Sequence, residues 1–549
     1  MTSTAEFETA FLAACNLHKE GKLTEAEQAY RQLESAGDNR ESVLQALVEL
    51  YLQSQRPQQA VETLVTLLQE VPDSLTYTSQ LAILMQNFGR TDAAIAVFER
   101  LLSLQPDMAD GHFSLALAYK RGLRYRDALR AYEKAIALGI DNVQEVYSNI
   151  GVLYSDMRDA SKAKEMYERA LDVDADYLPA LFNLAGLFEE AGDRERATEI
   201  YDNILAANPQ HWDSLARLAL AKKVARPTDP IIDKLRNAVE QAGDDPLAEE
   251  GLHFALGKCL DDVGDFDAAF AAYSAANTLG KQRNQPYDRL STEQRFDALI
   301  SRFDQTWIKR HATESTASPI FVCGMFRSGS TLVEQMLGAH PEISSGGELE
   351  YLPWLIARHL SPYPQRISEV SSRDLRTIGD AYLARLFDLF PDAVNLTDKR
   401  PDNFLHLGLV KAMFPHARIV YTKRNNLDNC LSIFFQQFGG DLSYATDLED
   451  TADYYSQHTK LMNHWAECFG DDIFTVDYDE LVGSPEPILR GLLDFLGLAW
   501  NDQCLDFENS AGLVKTASVW QVREGLHTSS RGRWRNYEAI APALSASLR

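Results

Sequence analysis

The sequence predicts a chain in two parts, an all-α superhelix of repeated helix pairs followed by an α/β domain built on a central parallel sheet. Three observations carry this prediction. Alanine stands at Ala26, Ala60, Ala94 and Ala128, 34 residues apart each time, and again at Ala163 and Ala197. From Pro319 onward, short apolar runs alternate with helical segments. The first of these runs leads into Gly324, four further residues, then Gly329, Ser330 and Thr331, the spacing of a phosphate-binding P-loop whose lysine is missing.

Each repeated feature has a mechanical reason. Four residues beyond each alanine stands a large side chain (Tyr30, Leu64, Phe98, Tyr132, Tyr167, Tyr201), so the pair shares one helix face. Twelve residues before the alanine an apolar residue precedes a small one, as in Leu81-Ala82, Leu115-Ala116, Ile150-Gly151 and Leu184-Ala185, where a partner helix must approach closely. Gly21, Gly89 and Gly192 mark interhelical turns that need positive φ, and Pro72, Pro106 and Pro209 close their units.

This small-large pattern resembles the tetratricopeptide repeat (TPR) family, notably at "NIGVLY", "AKEMYERAL", "NLAGLF" and "ATEIYDNIL", and six repeats match well. A weaker helix from Trp212 and the stretch "ARPTDPIIDKLRNAVEQAGDDP" break the period, and Gly257, Gly264, Ala269 and Tyr273 restore it. The superhelix is therefore expected over residues 1–285, irregular at about 212–245, with a connecting helix and polar linker over 286–317 and the second domain over 318–549. The resemblance implies a groove for a peptide or protein partner; a scaffold for dimerisation is the equal alternative, and the oligomeric state stays open.

Bulk properties narrow the class. At 549 residues the chain exceeds what one hydrophobic core organises, and 45% hydrophobic with 10% aromatic residues are globular values. Against 53 basic side chains there are 80 acidic ones, a formal charge of -27, so neither nucleic acid nor a membrane is an expected partner. "MTSTAEFETAFLAACNLHKEGK" lacks the layout of a signal peptide and no apolar run approaches a membrane span, which reads as cytoplasmic. Six scattered cysteines without a C-x-x-C pair, and no His/Cys/carboxylate constellation, indicate neither disulfides nor a metal.

In the second part, "PIFVCG", "AVNLTD", "ARIVYTKR" and "DIFTVDYDEL" read as strands. "MFRSGS" is then a tight loop, and "TLVEQML" a helix whose first-turn N–H groups point back at it. Ser330 stands where nucleotide triphosphatases carry lysine, which disfavours triphosphate hydrolysis; Arg327 inside the loop instead suits a smaller, fixed anion such as a terminal phosphate or sulfate. In "IVYTKRNNLDNCLSIFFQQF", Arg424 at a strand end and Ser432 on the next helix can converge on one phosphate, so the ligand is expected to have two anionic ends.

The domain resembles P-loop sulfotransferases that use 3′-phosphoadenosine 5′-phosphosulfate (PAPS), most closely the tyrosylprotein sulfotransferase branch, over about residues 318–537. "RSGSTL" is similar to that family's 5′-phosphosulfate loop, usually R-S-G-T-T-L, and "RNNLDNCLS" to its 3′-phosphate motif. The resemblance implies PAPS as co-substrate, held by Arg327, Ser328, Gly329, Ser330, Thr331, Arg424 and Ser432, with no metal.

It also implies roles around the reacting centre. Glu348, after two glycines in "HPEISSGGELEYL", takes the place of the catalytic glutamate as general base; capping of the following helix is the alternative, and Glu342 is a weaker candidate. Lys399 in "NLTDKRPDNF" aligns with a lysine that, with Arg327, would offset charge on the transferring group, and Arg400 beside it leaves open a shared or exchanged role. In "TASVWQVREGLHTSSRGRWRNY", Ser530, or less closely Ser529, matches a transition-state serine, Arg531 and Arg533 are possible phosphate ligands, and Tyr478 is placed to stack on adenine or to pack in the core. The reading is PAPS-dependent sulfation of an acceptor hydroxyl, protein tyrosine foremost, with the repeats recruiting or positioning the acceptor. A glycan, lipid or small-molecule acceptor, a kinase with an altered loop, and a non-catalytic interaction protein with a relic P-loop domain are the alternatives.

Overall fold

A computed structural model describes residues 4–36, 39–440, 442–509, 512–516, 518–523, 525–526 and 528–540. Two compact units divide the chain between Ala180 and Leu181.

The first unit is built of helix pairs, from Thr4–Lys19 with Leu23–Ala36 to Val143–Asp156 with Ala160–Val173. The periodic alanines Ala26, Ala60, Ala94, Ala128 and Ala163 are wholly buried, and Tyr30, Leu64, Phe98, Tyr132 and Tyr167 are buried one turn on. The small residues are small because there is no room: a Cβ on Gly151 would lie 2.5 Å from the ring of Tyr167. The interhelical turns are left-handed at Gly21 (φ 75) and Gly89 (φ 65), as expected, and equally at Gln55 (φ 55), Leu123 (φ 56) and Arg158 (φ 63). Packing of the helix pairs thus imposes the turn even where no glycine relieves it.

The second unit holds the later repeats and the α/β domain. Over 212–245 the chain is still helical, but in shortened pieces, Trp212–Ala221 and Pro230–Gln241, the latter started by Asp229 accepting from the Ile231 N–H. The regular pair Pro246–Asp262 and Phe266–Arg283 follows, with Gly257 pressed on Tyr273 as Gly151 is on Tyr167. Beyond it, helix Arg289–Arg302 packs on helix Leu448–Phe469 through Arg289–Asp450 (2.7 Å) and Lys460–Asp297 (2.5 Å) ion pairs.

Five parallel strands, β1 (Ile320–Gly324), β2 (Ile343–Ser345), β3 (Asn395–Lys399), β4 (Arg418–Lys423) and β5 (Ile473–Asp477), form one sheet in the order β2-β3-β1-β4-β5. Alternate residues of β1 enter different cores: Phe321 and Cys323 pack with Trp465 and Ile419, Ile320 and Val322 with Leu332, Val420 and Leu489. A strand covered on both faces has to be apolar throughout, hence "IFVCG". The chain order reverses beside β1, which puts a crevice at the C-terminal ends of β1, β3 and β4. Among the described residues no helix is long and apolar enough to cross a membrane.

Candidate active site

The loop after β1 is shaped by close approach. A Cβ on Gly324 would collide with the Thr422 carbonyl of β4, and Ser328, itself buried, ties its hydroxyl to that of Thr422 at 2.7 Å. Arg327 sits at φ 66 and Gly329 at φ 102, where a Cβ would lie 2.6 Å from the Tyr478 ring. Helix Ser330–Gly338 then begins on Gly329 with no side-chain cap, which leaves its first-turn N–H groups and the positive end of its dipole to an anion.

In front of this loop opens a cavity of about 300 Å³. Its walls include Arg327, Gly329, Ser330, Thr331, Glu348, Arg424, Ser432, Tyr478, Ser530 and Arg533, so most of the sequence-derived candidates come together here. Ser328, Lys399 and Arg531 are not among the lining residues; Ser328 acts within the loop, and Arg531 is half-exposed at 3.9 Å from Asp479.

The guanidinium groups define the electrostatics. Arg327 donates from Nε to Ser432 (3.1 Å), from Nη2 to Gln521 (2.5 Å) and from Nη1 to the Ser518 hydroxyl. Burial, with Arg424 and Arg533 nearby, pulls its pKa down to about 10. Arg424 donates to the carbonyls of Arg327 (3.4 Å) and Ser530 (2.6 Å) and lies 4.8 Å over the Tyr478 ring; its Nε is buried without a partner among the described residues. Ser432 therefore meets Arg327 rather than Arg424, and the two expected anion anchors share one cavity. Ser530, not Ser529, is a lining residue, and its carbonyl takes the Arg424 bond.

At the other rim, Lys399 is wholly buried at the end of β3, in register with Val322 of β1. Its Nζ donates to Glu348 Oε1 at 2.6 Å and reaches Thr331 Oγ1 of the P-loop helix at 3.5 Å. A cation absent from the loop itself thus arrives from the neighbouring strand. Glu348 is held by its own loop: the Gly346 N–H donates to the Thr397 carbonyl (3.1 Å), Lys399 N–H to the Gly347 carbonyl (3.0 Å), and Gly347 N–H to buried Glu334 (2.9 Å). The helix after it starts at Tyr351 with Glu350 at its N-cap, so Glu348 does not cap it. Glu342 is exposed beside β2, away from the cavity. Arg400 is engaged by Asp402 (3.0 Å) and Glu350 (2.6 Å) rather than by Glu348, which separates it from Lys399.

Several lining residues carry no sequence signal. Lys515, Thr516, Ser518 and Gln521 lie in short turns and a 3-10 helix around the start of a stretch that the sequence marks through its arginines and Ser529–Ser530. Asp428, in the helix of Ser432, accepts from the N–H groups of Gly532 (2.6 Å) and Trp534 (2.8 Å) and so fixes the loop around Arg533. Asp398, bonded to Tyr382 (2.6 Å) and Asn403 (3.0 Å), has its pKa pushed up to about 7 by burial. Among the described residues no His/Cys/Asp/Glu group could hold a metal ion.

Residues 319–502 match the model described as the sulfotransferase family, and residues 17–83, 79–143 and 155–222 match tetratricopeptide repeat models. An uncharacterized protein of Aquifex aeolicus is 32% identical over 377 residues, 66% of this chain and 49% of that one. Protein-tyrosine sulfotransferase 1 of Danio rerio is 28% identical over 255 residues, 41% of this chain and 70% of that one; the Drosophila melanogaster protein-tyrosine sulfotransferase is 27% identical, covering 41% and 50%. The chain spans about half the length of the Aquifex relative. Among solved structures, the sulfotransferase domain from the Synechococcus PCC 7002 olefin synthase aligns at 19% identity and TM-score 0.32, covering 41% of this chain and 89% of that one. The chain thus joins tetratricopeptide repeats to a domain of the sulfotransferase family.

Proposed function

We propose that the domain moves a sulfuryl group from PAPS to an acceptor hydroxyl, protein tyrosine foremost. The observation that carries this reading is one cavity walled by a helix N-terminus and Arg327, Arg424 and Arg533, with Glu348 in its wall paired to the buried Lys399. Like charges gathered this closely, one with an unpartnered buried N–H, fit a ligand of several negative charges. The loop N–H groups of 328–331 and Arg327 suit its 5′ end, Arg424, Ser432 and Arg533 its 3′-phosphate, and Tyr478 its ring. PAPS supplies a sulfuryl group on a good leaving phosphate.

The chain's own residues do the rest. Glu348 takes the proton of the acceptor hydroxyl, and Lys399 and Arg327 stabilise the charge that develops between acceptor and leaving oxygen. Phe326, Phe438, Pro401 and Leu526 give part of the cavity an apolar wall that accepts an aromatic ring and excludes water. Relatives named protein-tyrosine sulfotransferases support the same acceptor. The repeats, a family that commonly binds peptides and proteins, recruit or position it.

Calorimetric titration of the full chain with adenosine 3′,5′-bisphosphate and, separately, Mg-ATP tests the donor site, with binding expected for the first alone. Turnover of labelled PAPS onto tyrosine peptides tests the reaction. Glu348→Gln is expected to abolish turnover while bisphosphate still binds. Tight Mg-ATP binding without bisphosphate binding would establish a kinase instead, and sulfation confined to glycan, lipid or small phenol would move the acceptor.

A further inference from the structure

The donor cavity is bordered by a segment whose supports lie outside the α/β domain. Arg533 reaches the cavity from the loop held by Asp428, but its Nη2 donates to Asp261 at 2.6 Å, and Asp261 lies in the last turn of the repeat helix Pro246–Asp262. The same carboxylate accepts from the Tyr537 hydroxyl, whose ring is wholly buried against Phe266, Phe270 and Phe435. The Arg533 guanidinium lies 5.2 Å over the Phe435 ring, which stacks at 4.0 Å on Tyr273 of the next repeat helix. A second anchor is independent of the first. Val514 N–H donates to the Glu190 carbonyl (2.9 Å), and Arg194 lies 4.8 Å over the ring of Trp520, on either side of the lining residues Lys515, Thr516 and Ser518.

We propose that Asp261 is a positioning residue for the donor: from a repeat helix it holds Arg533 in the cavity, so the repeats complete the anion site as well as serving the acceptor. The physical need is clear. Arg533 stands near Arg327 and Arg424, both cations, and without a counter-charge it is repelled from the cavity it lines. Asp261 engages Nη2 and leaves the other guanidinium N–H groups to a phosphate, the arrangement in which a second carboxylate orients a ligand-binding fork.

This inference rests on the donor reading, and titration of the full chain with adenosine 3′,5′-bisphosphate separates the two. If the wild type does not bind, the donor reading fails and the proposal falls with it. If it binds, Asp261→Asn is expected to weaken binding by about tenfold, Asp261→Glu to restore most of it, and Asp261→Asn to add little in an Arg533→Ala background. Tyr537→Phe, which removes the other bond to the carboxylate, is expected to lower Tm with little change in affinity. Lys281→Ala, which breaks a different repeat-to-domain ion pair at Asp447, is expected to leave affinity unchanged. Unaltered or tighter binding by folded Asp261→Asn, full additivity with Arg533→Ala, or loss of cooperative melting in Asp261→Asn overturns the positioning role.

Discussion

Replacing Lys399 by methionine isolates the charge that the P-loop itself lacks. The side chain is wholly buried and nearly matched in volume by methionine, so the core is preserved. Its partner Glu348 keeps 31% of its side chain exposed and regains water when the 2.6 Å ion pair is removed, so a stability loss of no more than about 1 kcal/mol is expected. Transfer is affected differently. In the proposed reaction a cation between Glu348 and the P-loop threonine meets charge that develops only in the transition state, and removing one such donor from a preorganised site costs about 3–4 kcal/mol, or roughly 10²–10³ in kcat. Turnover of labelled PAPS onto a tyrosine peptide, bisphosphate affinity and Tm are measured together. The expected pattern is a large fall in kcat with affinity changed less than about threefold. A kcat within threefold of wild type refutes the reasoning, and a parallel loss of affinity assigns Lys399 to ground-state binding.

Other predictions concern the scaffold. Gly151→Ala places a Cβ 2.5 Å from the Tyr167 ring and is expected to destabilise the first unit by about 1–3 kcal/mol in urea unfolding; an unchanged midpoint would show the repeat face to be loosely packed. Gln55→Gly relieves a left-handed turn at an exposed position and is expected to add about 0.5–1 kcal/mol in the same assay, with a loss counting against strain there. Asp398 has a folded pKa near 7, above its unfolded value, so the stability it contributes is complete below about pH 4 and is lost as pH rises through about 7. Asp398→Asn is therefore expected to flatten the fall of Tm between about pH 4 and 7, and parallel curves for the two proteins would exclude the carboxyl as its source.

The repeats and the P-loop were legible because their determinants are local. Ala26 and Tyr30, or Gly324 and Ser330, lie within one turn or one loop, where side-chain size and backbone freedom act directly. Strand β2 was not, since Ile343–Ser345 is too short and too polar to read and exists by pairing with Asn395–Thr397. Arg533 could be read as a cation in an acidic chain, but its carboxylate partner is 272 positions away. Ser518, Gln521 and Asp428 belong to the same class, being ordinary polar residues given meaning by irregular turns that no periodicity marks. The pairing of Ser432 with Arg327 rather than Arg424 is likewise a matter of how two loops meet.

The anchoring of Val514, Arg523 and Tyr537 on the repeats also sets the order in which the chain can fold. In the first unit each helix pair closes over a few tens of residues, so it can assemble as it is synthesised. The second unit cannot. Arg523 reaches the carbonyl of Glu190 across 333 positions, and Tyr537 reaches Asp261 across 276. Until those late residues arrive, the Phe266, Phe270 and Phe435 rings that Tyr537 covers stay open, in a partly folded species with exposed apolar surface. Slower maturation of the second unit than of the first is the cost of anchoring the segment that borders the cavity on helices far upstream in the chain.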